Sequence, residues 1–354
     1  MIKDSYNVVG VMSGTSIDGI DLVYTELNYN GTWSFNIIHA ETISYSEKWF
    51  NVLKDLVSFS LENLKQIDVD YTTYLASVIK AFIEKNKIEA IDAICSHGHT
   101  ALHRPEKQLT YQIGNLPVLA NILNQIAVCD FRVQDVEYGG QGAPLVPIGD
   151  ELLFSEYDYC LNLGGFANIS YKENGKRMAY DICPVNIVLN KYAEKLGYKY
   201  DDGGQIAASG TYLSSLVDQL KVLPFYNENP PKSLGLEWVN KNVFPLIDNS
   251  GYKEKDILHT FSNHIAQEIA RVVKEGSNIL VTGGGAYNDY IISKIKLEKR
   301  IEIVIPSNDL VEFKEALIFA FLGVLKLRGE VNCLRDVTGA FKNHSSGKIY
   351  MPKK

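Results

Sequence analysis

Residues 8–24 read VVGVMSGTSIDGIDLVY, two apolar runs joined by a turn that is rich in glycine and hydroxyl groups. Asp18-Gly19 favours a tight reversal, because glycine tolerates a positive φ. The glycines leave backbone N–H groups uncovered, and Thr15 and Ser16 add hydroxyl donors beside them. Such a loop can hold phosphate oxygens without a lysine. Taken alone, the segment fits an ordinary β-hairpin slightly better.

The size and charge of the chain limit the classes of protein to which it can belong. Its 354 residues favour two domains, and 46% hydrophobic residues are ample for a core. A net charge of −7 argues against a general nucleic-acid or membrane-surface binder. The five cysteines form no C-x-x-C pair, which favours buried free thiols in a reducing cytoplasm.

The order of apolar runs and helical patterns repeats along the chain. Two strands joined by a glycine turn and followed by a third strand are predicted within residues 6–45 and again within 158–182. Later strands alternate with helices, which is typical of α/β architecture. We expect an N-terminal lobe over 1–133, a C-terminal lobe over 134–340, and a tail over 341–354 that returns to the first lobe.

Three glycine turns follow predicted strands, at 14–19, 164–165 and 283–285. Ligands of α/β sheets bind at the carboxyl ends of strands, so three such turns favour a nucleotide cleft more than any one of them does. Close packing and chain reversal remain the alternative for each single turn. The sequence contains no G-x-x-x-x-G-K-[ST] and no G-x-G-x-x-G, which disfavours P-loop enzymes and Rossmann dehydrogenases.

Asp181 is the candidate catalytic acid. We expect it between a strand end and a helix that starts after Pro184, where the helix N-terminus favours a carboxylate. An ionised acid that faces a cleft can accept a proton from a hydroxyl group or water. The alternative is a helix-capping aspartate.

The histidines at 97, 99 and 103 are a second candidate group. On a strand, His97 and His99 share a face, and His103 could fold back to complete a zinc site. Contacts to a substrate, or plain surface positions, are the alternatives. Arg132 could clamp an anionic group or form a structural salt bridge.

Several of these motifs together resemble the anhydro-N-acetylmuramic acid kinases. Residues 10–21 resemble the N-terminal signature of that family, and the order and spacing of the motifs cover nearly the whole chain. The further matching segments are 96–100, 112–114, 130–132, 139–147, 162–168, 232–233, 283–288, 315–316 and 319–320.

The resemblance implies the fold of the sugar kinase, Hsp70 and actin superfamily, with two ribonuclease-H-like lobes around a central ATP cleft. It implies a kinase that opens the anhydro bridge of 1,6-anhydro-N-acetylmuramic acid with water and phosphorylates O6 with ATP and Mg²⁺. The product, N-acetylmuramic acid 6-phosphate, lies on the route of peptidoglycan recycling. The resemblance also suggests a homodimer, and it implies neither a nucleic-acid partner nor a membrane.

The same resemblance implies a role for each candidate residue. Asp181 is the base that activates water. The residues implied to bind the phosphates and the adenosine of ATP are Gly14, Thr15, Ser16, Asp18, Gly19, Asp21, Gly164, Gly165, Gly283, Gly284 and Gly285. The residues implied to bind the sugar are His97, Thr100, Arg132 and Gln141. The ligands of Mg²⁺ are not readable from the sequence.

The chain departs from the family pattern at three positions, which weakens the prediction of sugar specificity. Cys183 and Val185 replace glycines, and His99 replaces a common glutamine. The alternatives are a superfamily kinase for another sugar or a carboxylic acid, a zinc hydrolase that uses His97, His99 and His103, and a non-catalytic, ATP-regulated binding module.

Overall fold

The computed structural model describes residues 2–353. They form two compact units, each built on one β-sheet. Unit 1 contains the chain up to Leu153 and again from Phe313 onward, and unit 2 is Phe154–Glu312. The predicted first lobe begins at position 1 and the predicted tail ends at position 354, and both positions lie outside the described residues.

The strands, in chain order, are β1 (Ser5–Ser13), β2 (Ile20–Tyr29), β3 (Trp33–Ile43), β4 (Ala93–Arg104), β5 (Leu109–Ile113), β6 (Ala127–Cys129), β7 (Tyr159–Leu163), β8 (Phe166–Glu173), β9 (Lys176–Pro184), β10 (Asn278–Thr282), β11 (Glu302–Val304) and β12 (Lys348–Tyr350).

The α-helices, in chain order, are α1 (Glu47–Lys54), α2 (Leu61–Lys85), α3 (Val118–Leu123), α4 (Val133–Glu137), α5 (Pro147–Leu153), α6 (Asn186–Glu194), α7 (Gln205–Ala208), α8 (Ser214–Lys221), α9 (Leu236–Asn242), α10 (Phe244–Asp248), α11 (Glu254–Val272), α12 (Asp289–Glu298), α13 (Asn308–Arg328) and α14 (Arg335–Thr338).

Five strands follow the same order in both sheets, and unit 1 adds β5 and β12 to that order. In unit 1 it is β12-β6-β4-β1-β2-β3, with β5 paired to β4, and in unit 2 it is β11-β10-β7-β8-β9. In each unit the first three strands form an antiparallel meander, and two later strands join in parallel. Short turns can join antiparallel neighbours, whereas the parallel strands arrive through longer crossovers that contain helices. This arrangement confirms the predicted pair of ribonuclease-H-like folds.

Each sheet is covered by helices that bury an apolar face. In unit 1, α2 packs Tyr71, Leu75 and Ile79 into the same cluster as Val9 and Val11 of β1. These helix residues recur every four positions, the spacing that keeps side chains on one face. In unit 2, α11 contributes its buried side chains to a second, separate core.

Residues 317–325 of the apolar helix α13 are all buried. This helix packs so closely on the sheet of unit 1 that a Cβ added at Gly10 would lie 2.1 Å from the Ala316 carbonyl oxygen. No helix in the described part of the chain is long and apolar enough to cross a membrane.

This packing corrects the predicted lobe boundaries of 1–133, 134–340 and 341–354. Residues 134–153 and 313–340 belong to unit 1, because α5 and α13 pack together at Gly149 and Ile318. The glycine-rich segment 139–144, just after the predicted boundary at 133, therefore lies inside unit 1. The C-terminal tail also lies in unit 1, where β12 pairs with β6.

Candidate active site

Two of the three predicted glycine turns lie side by side in unit 2. They follow β7 and β10, which are parallel neighbours. Gly283 has a φ of 81°, and a Cβ there would lie 2.5 Å from Oδ1 of Asn162. A Cβ at Gly285 would lie 2.7 Å from the Cβ of Leu163. Only glycine fits these two positions without a shift of the neighbouring strand end.

Two of the remaining glycines of these turns, Gly165 and Gly284, have open space where a side chain would lie. A Cβ at Gly284 would have its nearest neighbour 3.9 Å away, and one at Gly165 would have its nearest neighbour at 4.0 Å. At Gly164 the nearest atom is the Asn162 side-chain amide, at 3.2 Å. Gly165 and Gly284 are exposed, so a ligand can approach their backbone directly.

The start of α6 holds the first of these turns in place. The N–H groups of Val185 and Ile187 donate to the Gly165 carbonyl, and the N–H of Asn186 donates to the Gly164 carbonyl. The side-chain amide of Asn186 donates to the Leu163 carbonyl at 3.2 Å. These helix amides are therefore used within the protein and fix the shape of the turn.

A pocket of about 520 Å³ opens beside Gly284. Its lining residues are Asn186, Leu189, Asn190, Tyr200, Asp201, Asp202, Gly203, Gly284, Tyr287, Asn288 and Glu312. Burial and a hydrogen bond to the Glu312 carboxylate raise the pKa of the Tyr287 hydroxyl to about 12. The pocket thus combines apolar walls with amide and carboxylate groups, a typical lining for a small-molecule site.

Asp181 lies inside β9 of unit 2, and its location corrects the predicted position at a helix N-terminus. The backbone N–H of Leu234 donates to Oδ2 at 2.7 Å, and the Asp181 N–H donates to the Lys232 carbonyl at 3.1 Å. In the described part of the chain, Oδ1 makes no hydrogen bond. The first residues of α6 bond to the glycine turn instead of to this carboxylate.

Two features of β9 set the orientation and the basicity of Asp181. The pairing of β8 with β9 changes register between Ala167 and Asn168, so the strand bulges at Ile182, next to the acid. Bulges of this kind often redirect a side chain beside an active site. Burial raises the pKa of Asp181, and the Leu234 N–H opposes this shift. A carboxylate with a raised pKa is a stronger base.

The third glycine turn joins β1 to β2 in unit 1 and differs from the prediction in its backbone. The left-handed residue is Ile17, with a φ of 58°, and Gly19 does not have a positive φ. Gly19 is required for another reason, because a Cβ there would lie 2.5 Å from the Thr42 side chain. A Cβ at Gly14 would meet only the side chain of Ser16 at 3.3 Å.

The polar side chains of this turn are largely free to meet a ligand. Thr15, Ser16 and Asp18 are exposed, and the Ser16 hydroxyl donates to Oδ1 of Asp18 at 2.9 Å. Asp21 lies in β2 and accepts a hydrogen bond from the Thr42 hydroxyl at 2.6 Å. The turn therefore offers hydroxyl donors and one exposed carboxylate, while Asp21 is tied to the neighbouring strand.

His97 orients Arg132 in unit 1. The Arg132 Nε–H donates to His97 Nε2 at 2.8 Å, and Arg132 Nη1 donates to the Gly142 carbonyl at 2.7 Å. His97 Nδ1 lies 2.8 Å from the Gly98 carbonyl, so the tautomer with a proton on Nδ1 satisfies both ring nitrogens. Burial and the charge of Arg132 hold the pKa of His97 well below its usual value. The imidazole is therefore neutral.

Arg132 can present its remaining guanidinium nitrogen to an anion. Nη2 makes no hydrogen bond within residues 2–353. Burial lowers the pKa of Arg132 to about 10, and the nearby carboxylate of Glu315 opposes this shift. Glu315, on α13, also interacts electrostatically with Asp18. Glu315 is a candidate that the sequence reasoning left without a role, and its only signal was the matching pair Glu315-Ala316.

The predicted zinc site of His97, His99 and His103 is wrong. A register shift between β1 and β4 and the φ of 72° at Gly98 turn the first two rings toward different partners. His99 Nδ1 lies 2.8 Å from the Ser13 hydroxyl, and His103 is exposed with Nδ1 3.1 Å from Thr110. These three histidines do not form a metal-binding group within the described residues.

The other two residues assigned to the sugar, Thr100 and Gln141, do not bond to His97 or Arg132 in the described part of the chain. Thr100 is half-buried in β4, opposite Gln112 of β5. Gln141 has an exposed side chain, and its backbone N–H donates to the Thr338 carbonyl at 2.8 Å. Gln141 precedes Gly142, the residue that Arg132 binds, so its side chain lies on the same loop as one of the arginine's partners.

Each unit therefore groups part of the predicted site. Unit 2 brings together Gly164, Gly165 and Gly283–Gly285 beside the pocket, and it holds Asp181 in the same sheet. Unit 1 brings together Arg132, His97, Glu315 and Asp18. A carboxylate with a raised pKa, an exposed glycine backbone and a cation are groups that phosphoryl transfer can use.

The chain is similar to proteins of one family over nearly its whole length. The family model described as anhydro-N-acetylmuramic acid kinase matches residues 6–352. A protein of that name from Sulfurimonas denitrificans is 32% identical over 97% of this chain and 98% of its own length. Proteins of the same name from Mannheimia succiniciproducens and Haemophilus influenzae are 32% and 29% identical, over 99% and 97% of this chain and 100% and 97% of their own lengths.

The chain is also similar to solved structures. Component A of (R)-2-hydroxyglutaryl-CoA dehydratase from Acidaminococcus fermentans matches with a TM-score of 0.48 and 14% identity, over 91% of this chain and 99% of that one. A ROK family glucokinase from Streptomyces griseus, in complex with glucose and AMPPNP, matches with a TM-score of 0.41 and 10% identity, over 90% and 99%. These two likenesses are too weak to add to the fold described above.

Proposed function

The chain belongs to the anhydro-N-acetylmuramic acid kinase family, and from this premise we propose that it phosphorylates 1,6-anhydro-N-acetylmuramic acid with ATP. The family match extends over residues 6–352, nearly the whole chain. In the proposed reaction, water opens the anhydro bridge and O6 receives the γ-phosphoryl group. The products are N-acetylmuramic acid 6-phosphate and ADP.

The chemistry of the substrate requires a base near C1. In the anhydro sugar, O6 is an ether oxygen and has no proton to lose. Water therefore attacks C1, the C1–O6 bond breaks, and O6 bonds to the γ-phosphorus while the bond to ADP breaks. The proton of the attacking water goes to a carboxylate, which we assign to Asp181.

The observation that carries this assignment is the state of the Asp181 carboxylate. Leu234 fixes Oδ2, Oδ1 makes no hydrogen bond within the described residues, and burial raises the pKa. One oxygen is therefore positioned, and the other is available to a water molecule. Such a base contributes roughly 10²–10⁴-fold to a rate.

We assign the adenosine to the pocket of unit 2 and the phosphates to the exposed glycine turns. The pocket volume of about 520 Å³ lies within the range for small-molecule sites. The exposed backbone at Gly165 and Gly284 lets phosphate oxygens approach closely. Exposed hydroxyls of Thr15 and Ser16 in unit 1 are the further donors that we propose for phosphate.

Mg²⁺ is part of the proposal, since phosphoryl transfer consists mainly of positioning and charge neutralisation. When bound, Mg²⁺ neutralises charge on the phosphates. It usually keeps several waters and takes one or two protein carboxylates. Asp18 fits this need, because its carboxylate is exposed and accepts a hydrogen bond from Ser16.

We assign Arg132 to an anionic group of the sugar. The substrate carries a lactyl carboxylate, and Arg132 keeps Nη2 available while His97 and Gly142 hold the rest of the guanidinium. Thr100 and Gln141 remain proposed contacts to the sugar. Cys183 and Val185 replace glycines of the family pattern. Their side chains are buried in the core of unit 2, so they do not obstruct the proposed substrate site.

The five cysteines are free and buried, which suits a reducing compartment. We therefore propose that the protein acts in the cytoplasm on breakdown products of the cell wall. A homodimer is part of the proposal as well, and size-exclusion chromatography with light scattering tests it directly.

The activity is tested by ADP release with a panel of acceptors: 1,6-anhydro-N-acetylmuramic acid, N-acetylmuramic acid, N-acetylglucosamine, glucose and acetate. We expect ADP release with the anhydro sugar and Mg²⁺, and one phosphorylated sugar for each ADP. Phosphorus NMR and mass spectrometry should place the phosphate on O6 and show the mass of one added water. Equal turnover of an acceptor without the anhydro bridge would contradict the proposal.

A further inference from the structure

Three side chains with metal-binding atoms meet in the interior of unit 1, and none of them has a part in the reaction proposed above. They are Asp135 of α4, Cys333 and His344, and each is at most 5% exposed. Their ligand atoms all lie within 4.8 Å of one another. Cys333 and His344 face each other on an isolated antiparallel bridge, with both backbone N–H groups bonded to the opposite carbonyl.

One of these ligand atoms, Nε2 of His344, is buried without a hydrogen-bond partner. This nitrogen lies 3.6 Å from Oδ1 of Asp135. Cys333 Sγ lies 3.0 Å from the same oxygen. A buried polar atom without a partner costs about 1–3 kcal/mol, so a group that binds Nε2 would remove this cost.

The distances suit a small tetrahedral ion. Ligand atoms about 2.0–2.3 Å from Zn²⁺ lie roughly 3.3–3.8 Å from one another at tetrahedral angles. The nitrogen–oxygen distance of 3.6 Å already falls in this range. The sulfur and the oxygen must separate by a few tenths of an ångström, which is the change expected when the thiol proton between them is replaced by an ion.

The surrounding groups are those that orient metal ligands. His344 Nδ1 lies 3.1 Å from the Lys342 carbonyl, which selects the tautomer that leaves Nε2 free as a ligand. The second oxygen of Asp135, Oδ2, accepts the Gly142 N–H at 2.7 Å. The Thr338 hydroxyl donates to Oδ1 of Asp135 at 2.7 Å.

We propose that Asp135, Cys333 and His344 bind one divalent transition ion, with Zn²⁺ as the best match. Binding releases the Cys333 thiol proton to solvent and forms bonds from the ion to the sulfur, to Nε2 and to Oδ1. The thiolate and the carboxylate balance the two positive charges, so the buried site is neutral. Sulfur and imidazole ligands select such ions over Mg²⁺ or Ca²⁺.

The ion has a structural role in this proposal. It joins α4 to the C-terminal segment that contains Cys333 and His344. Through Asp135 and the Gly142 N–H, it also stabilises the loop whose carbonyl binds Arg132. Loss of the ion should therefore weaken the fold of unit 1 and, indirectly, the positioning of Arg132. The proposal does not depend on which substrate the enzyme uses.

The test is metal binding by the whole protein. We expect elemental analysis to find about one zinc per chain after purification with added Zn²⁺, and the metal-free protein to bind Co²⁺ with a thiolate-to-metal absorption band. Zn²⁺ should raise the Tm of the metal-free protein, and Mg²⁺ should not. Cys333→Ser and His344→Ala should each remove the absorption band and the Tm response.

Cys129→Ser is the matched control, because Cys129 is another buried thiol of unit 1 that lies outside the cluster. It should keep one metal per chain and the Co²⁺ band. If a cluster variant fails to fold, the Co²⁺ spectrum of the wild-type protein still decides the question. A wild-type protein without stoichiometric metal and without a thiolate band would overturn the proposal, as would binding that survives both cluster substitutions.

Discussion

The two units share the order of five strands but finish their central strands in different ways. In unit 1, side chains at the strand ends hold other side chains, as Ser13 does with Tyr45, Tyr71 and His99. In unit 2, the strand ends carry glycines that leave the backbone open beside a pocket. The same sheet can therefore be specialised to fix a few charged groups or to let a ligand approach the main chain.

The first prediction concerns the base of unit 2 and has the largest expected effect. Asp181→Asn should lower kcat by about 10³-fold, because the water loses its proton acceptor. The affinity for ATP, measured by calorimetry, should stay within about twofold, since the amide keeps the Leu234 hydrogen bond. Asp218→Asn, an exposed acid of α8 in the same unit, is the matched control. Near-normal turnover of Asp181→Asn would show that another group is the base.

The same variant should be more stable than the wild type at neutral pH. Burial raises the pKa of Asp181 in the folded protein, so the folded state holds its proton more tightly than the unfolded state does. The free energy of unfolding then falls as pH rises above the usual aspartate range, by about 1.4 kcal/mol per pKa unit. Urea unfolding across this range should show no such fall for Asp181→Asn.

The second prediction concerns the side-chain pairing of unit 1. His97→Ala should raise KM for the anhydro sugar by about 10–100-fold, because Arg132 loses an acceptor that fixes its guanidinium. His103→Ala, an exposed histidine of the same strand, should leave KM unchanged. Burial keeps the pKa of His97 well below its usual value. A plot of KM against pH should therefore show no histidine inflection between pH 6 and 8.

The third prediction separates packing from ligand approach among the glycines of unit 2. Gly284→Ala should raise KM for ATP by about tenfold with little change in Tm, because the added methyl group enters only the ligand space. Gly283→Ala should instead lower the free energy of unfolding by about 1–3 kcal/mol, because of its φ of 81° and its contact with Asn162. If Gly284→Ala changed Tm but not KM, the assignment of the glycine turn to ATP would be wrong.

The fourth prediction concerns stability alone, and it involves His99, which lies beside the bonded hydroxyls of Ser13, Tyr45 and Tyr71 in unit 1. Burial lowers the pKa of His99 to about 4, so below pH 6.5 the unfolded chain binds a proton that the folded protein excludes. The wild type should lose stability relative to His99→Gln as pH falls from 6.5 to 4, by a total on the order of 3 kcal/mol. Urea unfolding at several pH values measures this difference. Parallel curves for the two proteins would contradict it.

Local patterns in the sequence predicted much of the fold. The repeated strand–turn–strand order predicted the two equivalent sheets, and the alternation of later strands with helices predicted the α/β architecture. The lobe boundaries were not predictable in this way, since they depend on the packing of Gly149 against Ile318. Contacts between distant parts of the chain leave no periodic signal in either segment.

The sequence predicted which kinds of residue form the candidate site better than it predicted how those residues are arranged. The two glycine turns of unit 2 lie side by side. The prediction that His97 and His99 share a face was wrong, because the pairing of β1 with β4 is irregular next to them. The meeting of Asp135 with Cys333 depends on a separation of nearly 200 residues that no motif records. The convergence of the turns of both units on one ATP stays a prediction.

The most direct test of the account is a crystal structure with a non-hydrolysable ATP analogue, Mg²⁺ and the anhydro sugar. We predict that the free oxygen of Asp181 lies within about 3.2 Å of a water molecule that faces C1, and that the adenine occupies the pocket beside Gly284. An Asp181 carboxylate out of reach of the sugar, or a nucleotide bound elsewhere, would contradict the account.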